Sequence, residues 1–346
     1  MREGIKEIVE IDGSCGEGGG QILRTSLALS VITRRPLRMR RIRAGRKKPG
    51  LQRQHLACVE AAALLCHAHV EGAEPSSQDL VFAPSEATAD RLAIDIGTAG
   101  STTLVMQTIL VPALALGHAL HATVIGGTHN PLAPPFEFLD RVFLPHLHAM
   151  GARATLALEK HGVFPGGGGR LVLTVEPTTR LAPIDILEAG PVIATRATVI
   201  LARLPTHVAD RELATVRERF PAVEGTVVEI RGGPANVLMI EIERATSREL
   251  VTVHGEKGLR AELVARRACD ELVRFLEADV PVGEHLADQL LLPMALAGGG
   301  RFRAQALSQH ATTNIDTIRA FLDVPIEVEP RGDAVEVVVG PTRATR

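Results

Sequence analysis

The chain has 346 residues, enough for two domains or for one repeat-built domain carrying an insertion. Its 45% hydrophobic and 23% charged residues are ordinary for a soluble globular protein, and a net charge of −2 excludes a polycation. With no Trp or Tyr and nine Phe, the core must be aliphatic.

The charge is unevenly spread. Ten basic residues fall between Arg34 and Arg53, and no acid occurs between Glu17 and Glu60. Such a block predicts a phosphate-rich partner, with a solvated basic face as the alternative. The four cysteines (Cys15, Cys58, Cys66, Cys269) form no C-x-x-C pair, so buried reduced thiols are expected. No secretory leader and no run of eighteen apolar residues is visible, which predicts a soluble, cytoplasmic protein without a membrane partner.

In chain order, a short apolar run (Ile8, Val9, Ile11) predicts a strand, followed by Asp12-Gly-Ser-Cys-Gly-Glu-Gly-Gly-Gly-Gln-Ile-Leu-Arg24 and an apolar helix to Val31. A strand, glycine loop and helix in that order aim backbone N–H groups at an anion. Glu17 is the one charge inside the loop, and a carboxylate beside phosphates implies a divalent cation between them. The local pattern serves equally a glycine turn that only lets the helix pack on the strand. It is not Walker spacing, and Gly-x-Gly-x-x-Gly fits it loosely.

Arg38–Arg43 predicts a strand, Leu51–Ala68 a helix, and Val70–Glu74 with Asp79–Ala83 a strand pair. The same β-α-β-α-β-β order follows in Leu92–Ile96, Leu104–Leu116 (with Pro112 inside), Ala119–Ile125, Phe136–Met150, Ala152–Leu158 and Leu171–Glu176. A third unit is legible only from Gly283 onward: a helix ending at Gly298, a strand at Phe302–Ala306, a helix at Thr312–Leu322 and a final strand pair. Residues 186–279 break the rhythm and predict an inserted α/β domain. The expected architecture is thus α/β (α+β), with residues 1–185 and 280–346 forming a large three-unit domain.

Several motifs then add up. Glu17-Gly-Gly-Gly-Gln-Ile-Leu-Arg24, Ile42-Arg-Ala-Gly-Arg-Lys-Lys-Pro-Gly50 and Arg53-Gln-His55 resemble the RNA 3′-terminal phosphate cyclase family. So do Gly126-Gly-Thr-His-Asn-Pro131 with Ala133-Pro-Pro135, His161-Gly-Val-Phe-Pro-Gly-Gly-Gly-Gly169, and Leu286-Ala-Asp-Gln289 with Leu292-Pro-Met-Ala295. The resemblance runs from about Ile8 to Val339 and implies the three-unit fold with a small insertion. It also implies ATP and a divalent cation (Mg2+ or Mn2+) as cofactors and an RNA with a 3′-phosphate as partner. The implied reaction makes a 2′,3′-cyclic phosphate through a histidine-bound AMP and an RNA 3′-adenylate, which splits one difficult transfer into easier ones. A homodimer is one option for its assembly.

Among thirteen histidines, His310 in Ser308-Gln-His-Ala-Thr-Thr-Asn-Ile315 matches the family's nucleophile. It falls after a strand and at a helix start, where the helix dipole disfavours the imidazolium and attracts phosphate. The alternative is a capping segment in which Thr312 or Thr313 caps and His310 is incidental. The resemblance further assigns Glu17 to the metal and nucleotide phosphates, and Arg24, Arg43, Arg46, Gln54 and His55 to substrate phosphates or RNA, with helix capping as the alternative for His55. It sets Gln107, Asn130, Pro134, Phe138, His285, Asp288 and Gln289 around the nucleotide. Three departures stand out: Gln309 where Cys is expected, His285 where Tyr would stack on adenine, and the Phe164-Pro165-Gly166 loop. A ribosome-assembly paralogue without the nucleophile, an enolpyruvyl transferase of the same architecture, and a plain RNA-end-binding module are the competing readings.

Overall fold

The computed structural model describes residues 7–178 and 180–342; the expected domain ends at residues 1 and 346 lie outside the described residues. The first unit is β1 (Val9–Asp12), α1 (Gly20–Thr33), β2 (Leu37–Arg40), α2 (Arg53–Cys66), β3 (His69–Glu71) and β4 (Leu80–Ala83). β1 and β2 are parallel, β4 is antiparallel to β2, and β3 closes the edge, giving the order β1-β2-β4-β3. β2 alternates buried Leu37 and Met39 with exposed Arg38 and Arg40, so one sheet face meets helices and the other meets water.

The second unit repeats this with β5 (Arg91–Asp95), α3 (Thr102–Leu116), β6 (Leu120–Gly126), a π-helical stretch (Phe138–Phe143) running into α4 (Leu144–Ala149), β7 (Ala154–Lys160) and β8 (Gly169–Val175). Its sheet order, β5-β6-β8-β7, is that of the first.

The third unit opens with a strand that the sequence pattern does not reveal. β9 (Asp185–Ile186) is two residues long and lies parallel to β14 (Gly300–Ala304), pairing Asp185 with Arg301 and Ile186 with Phe302. Two residues further along β14, Val282 bridges Ala304 in the same parallel sense. The first strand of the third unit is therefore interrupted, and some ninety-five residues leave and return within it. Those residues form β10 (Val192–Ala202), α5 (His207–Arg219), β11 (Glu224–Glu229), β12 (Ala235–Arg244), β13 (Arg248–His254) and α6 (Ala261–Ala278). After them come α7 (Glu284–Ala297), α8 (Gln309–Phe321), β15 (Ile326–Arg331) and β16 (Ala334–Val339), in the sheet order β15-β16-β14-β9.

The apolar interior falls into two clusters. The larger unites the inner faces of the three repeated sheets with α1, α2, α3, α7 and α8. The smaller joins α5 and α6 to β10, β12 and β13. α1 packs on α8, α3 and α2, and α7 packs on α8 and α3, so the helices meet centrally with the sheets outside. All four cysteines are free; Cys58, Cys66 and Cys269 are buried as expected, whereas Cys15 is exposed on the glycine loop. Among the described residues no helix is long and apolar enough to cross a membrane.

The smaller cluster encloses an acid. Glu212 is fully buried and its Oε1 accepts from Asn236 Nδ2 at 2.8 Å, while Glu212 Oε2 and Asn236 Oδ1 have no partner. Burial pushes the carboxyl of Glu212 up to about 7, and it does the same, with help from Glu271, to Glu249. The folded chain therefore holds protons that the unfolded chain has released above its ordinary carboxylate pKa of about 4.5, and stability falls as pH rises from there through about 7. Glu212→Gln keeps the hydrogen bond without the charge. Chemical denaturation between pH 5 and 8 is expected to show this variant with a flatter profile, its share of the slope amounting to about 3 kcal/mol at most.

Candidate active site

A cavity of about 440 Å³ opens where the first helices of the three units meet. α1 supplies Gln21, Arg24 and Thr25, α3 supplies Leu104, Gln107 and Val111, and α7 supplies His285, Asp288, Gln289 and Leu292. α8 adds His310 and Asn314, and the segment after β6 adds Asn130, Pro134 and, at the following π-helical stretch, Phe138. The remaining wall comes from the inserted segment: Leu250, Thr252 and His254 of β13 with Glu271 of α6.

His310 sits in the first turn of α8. Ser308, not Thr312 or Thr313, caps that helix, its Oγ accepting from the Ala311 N–H at 3.3 Å. Thr312 donates to the Gln309 carbonyl at 3.1 Å, and Thr313 serves the glycine loop. Thr313 Oγ1 accepts the Glu17 N–H at 3.1 Å and donates to the Gln309 carbonyl at 2.7 Å. Gly16 has φ +56° and faces Thr313 so closely that a Cβ would overlap the threonine side chain.

The polar contacts around His310 form one connected set. Its Nδ1 lies 2.7 Å from Gln21 Oε1, and Gln21 Nε2 donates to Asp288 Oδ1. Asn314 Nδ2 donates to Asp288 Oδ1 and to the Asp288 carbonyl, both at 3.0 Å, and Thr25 Oγ1 bonds Asn314 Oδ1 at 2.9 Å. Glu17 Oε2 is 3.8 Å from His310 Nδ1, and the other carboxylate oxygen pairs with Arg46. Burial holds the His310 imidazole below its ordinary pKa; Asp288 pulls it upward, while Arg24, His285 and Arg46 lower it further. Burial likewise raises the Asp288 carboxyl, against the lowering by Gln21, His310, Arg24 and Asn314.

Arg24 faces the cavity and makes no salt bridge among the described residues, and burial lowers its pKa. A desolvated guanidinium without a bound carboxylate is suited to an incoming anion. Beside it, His55 is buried and neutral, its pKa pushed down to about 3 by burial and by Arg43 and Arg24. His55 Nδ1 accepts the Gln52 N–H at 3.0 Å in a capping box, so its proton is on Nε2. That nitrogen points at Gly20, where a Cβ would come within 2.6 Å of it. The capping role and an N–H facing the glycine loop are thus combined in one ring. Gln54, its neighbour, accepts the Ser101 N–H at 3.3 Å and ties the start of α2 to the start of α3.

The other expected residues are distributed as follows. Gln107, Asn130, Pro134, Phe138, His285, Asp288, Gln289, Arg24 and His310 all line the cavity. Glu17 and Arg46 stand beside His310. Arg43 turns inward along the basic loop, its Nη1 donating to the carbonyls of Lys48 at 2.7 Å and Gly50 at 2.8 Å. Gln21, Thr25, Thr313, Asn314 and the β13 wall are site residues the sequence reading does not single out. The i, i+4 spacing of Gln21 with Thr25 and of His310 with Asn314 was the available signal.

The set of partnerless acceptors agrees with a nucleotide and a cation. Glu17 Oε2, Asn130 Oδ1 and Gln289 Oε1 are buried without partners. Apolar walls from Leu104, Val111, Pro134, Phe138 and Leu292 suit a base. Among the described residues no group of three or more His, Cys, Asp or Glu is placed to hold a metal, so a cation here would rest on Glu17 and on ligand oxygens. Arg24→Met should leave the melting temperature unchanged or raised, because a buried charge is removed, and should weaken binding of inorganic diphosphate at least about tenfold by calorimetry.

The RNA 3′-terminal phosphate cyclase family matches residues 15–328. Curated relatives called RNA 3′-terminal phosphate cyclase include one from Ectopseudomonas mendocina (strain ymp), 46% identical over 93% of this chain and 94% of that protein. Another, from Koribacter versatilis (strain Ellin345), is 44% identical over 98% and 97%, and one from Ralstonia nicotianae is 47% identical over 96% of each chain. The chain belongs to the RNA 3′-terminal phosphate cyclase family.

Proposed function

We propose that the protein converts an RNA 3′-phosphate into a 2′,3′-cyclic phosphate at the expense of ATP, with His310 as the nucleophile. The observation that carries this reading is the meeting of His310 and the unpaired Arg24 at one cavity, with Glu17 beside His310, in a chain of this family. An inert paralogue would not need these groups together, and His310, Glu17 and Asp288 are all retained.

In this reading ATP is a substrate. His310 Nε2 attacks the α-phosphorus, an N–P bond forms, and the α–β bridging bond breaks to release diphosphate. An oxygen of the RNA 3′-phosphate then attacks the same phosphorus and the N–P bond breaks. Finally the neighbouring 2′-hydroxyl loses its proton, closes on the RNA phosphorus and expels AMP. A phosphate monoester has a poor leaving group, and adenylylation supplies a good one. The lowered basicity of His310 keeps the ring unprotonated near neutrality. Arg24 and the Nε2–H of His55 would hold phosphate oxygens, and the uncapped start of α1 would add backbone N–H groups.

A divalent cation, Mg2+ or Mn2+, would be held by Glu17 and would neutralise phosphate charge. Arg46 now pairs with that carboxylate and would move to a phosphate oxygen. His285, exposed at the cavity rim, would stack its imidazole on a base as a tyrosine would. The exposed Lys47 and Lys48 would meet the RNA backbone without regard to sequence.

Two outcomes follow. Incubated with ATP labelled at the α-phosphate and a divalent cation, the protein should acquire an acid-labile label, and His310→Ala should acquire none; persistent label would move the nucleophile elsewhere. RNA affinity should fall steeply with salt, and Lys47→Glu with Lys48→Glu should flatten that slope by about two charges' worth.

A further inference from the structure

The orientation of His310 can be read from an atom that has no freedom. The backbone carbonyl of Asp288 can only accept, so the Asn314 side-chain nitrogen that lies 3.0 Å from it must be the amide N–H group. That same N–H group lies 3.0 Å from Asp288 Oδ1, which is therefore an acceptor whether or not the carboxyl carries a proton on its other oxygen. Gln21 meets this same Oδ1, so Gln21 also presents its N–H side there. Its carbonyl oxygen is left facing His310 Nδ1 at 2.7 Å. The ring nitrogen must then donate.

We infer that Gln21 is a positioning residue that locks the neutral His310 ring as the Nδ1–H tautomer and so leaves Nε2 bare for attack. Gln21 is buried on α1, 7% exposed, and it joins α7 to α8 through this one amide. Glu17 cannot substitute, because its nearest oxygen is 3.8 Å from Nδ1, beyond hydrogen-bond distance. A neutral amide between Asp288 and the imidazole has a further consequence. It passes on orientation without placing a full negative charge against the ring, so the ring remains a weak base and a competent leaving group in the second transfer. A direct carboxylate contact would favour N–P bond formation and hinder its cleavage.

This inference rests on the adenylylation reading, but the tautomer can be measured without any nucleotide. Full-length protein labelled with ¹⁵N-histidine, at neutral pH, should give long-range ¹⁵N–¹H correlations for His310 of the Nδ1–H form, assigned by their loss in His310→Asn. Gln21→Met, close to Gln in shape, should give a mixture of tautomers, and its rate of adenylate formation should drop roughly 100-fold with the ATP KM little changed. Gln21→Glu, whose carboxyl shares a proton with Asp288 and still accepts at Nδ1, should keep the single Nδ1–H form. An Nε2–H form in the wild type, or an unchanged tautomer and rate in Gln21→Met, overturns the inference. Absence of any adenylate in a wild type that shows the Nδ1–H form overturns the functional reading alone.

Discussion

The site depends on a seam between the two ends of the chain. The Glu17 N–H donates to Thr313 Oγ1 across 296 residues of sequence, and Gly16 lies flat against the same threonine. Closing so large a loop is entropically costly, and the hydrophobic packing of α1 on α8 is what offsets it. Only when that packing is formed does the glycine loop reach the turn that carries His310. Residues with no chemistry of their own, Gly16 and Thr313, thereby set where Glu17 stands relative to the imidazole.

Threefold repetition of one unit explains why a cavity exists there. Each unit puts a helix after its first strand, and the three such helices, α1, α3 and α7, converge on one point. Each contributes different side chains: a cation from α1, an amide from α3, and a carboxylate with an imidazole from α7. The inserted segment then finishes the enclosure with Leu250, Thr252 and His254. It can do so because it leaves the third unit in mid-strand, between Ile186 and Val282, close to the start of α7. An insertion in a loop on the outer face of a sheet could not reach the cavity.

Much of this was legible in the sequence, for physical reasons. Period-two alternation in β2 and the apolar runs of the helices gave the first two units, and the small-residue loops marked their turns. β9 was invisible because two residues carry no periodicity, and its continuation lies almost a hundred residues away. Glu17 stands out as the one charge in a glycine loop, with Arg24 just beyond it, whereas His310 and Asp288 were located through the family resemblance. They did not reveal Gln21 as the link between Asp288 and His310, because that link exists only after three units have folded together. Arg43 reads as a phosphate ligand in the sequence, yet one of its nitrogens is spent on two carbonyls of its own loop. α8 starts at Gln309 rather than at Thr312, since Ser308, Thr312 and Thr313 are all competent caps and only backbone geometry chooses among them.

The most direct test of the account is made on the RNA end itself. A short RNA bearing a 3′-phosphate would be incubated with the protein, ATP and Mg2+, then treated with a phosphatase. The account predicts that the end becomes phosphatase-resistant only with ATP present, and that one AMP is released for each end converted. An end that remains phosphatase-sensitive, with folded protein and ATP in excess, would contradict it.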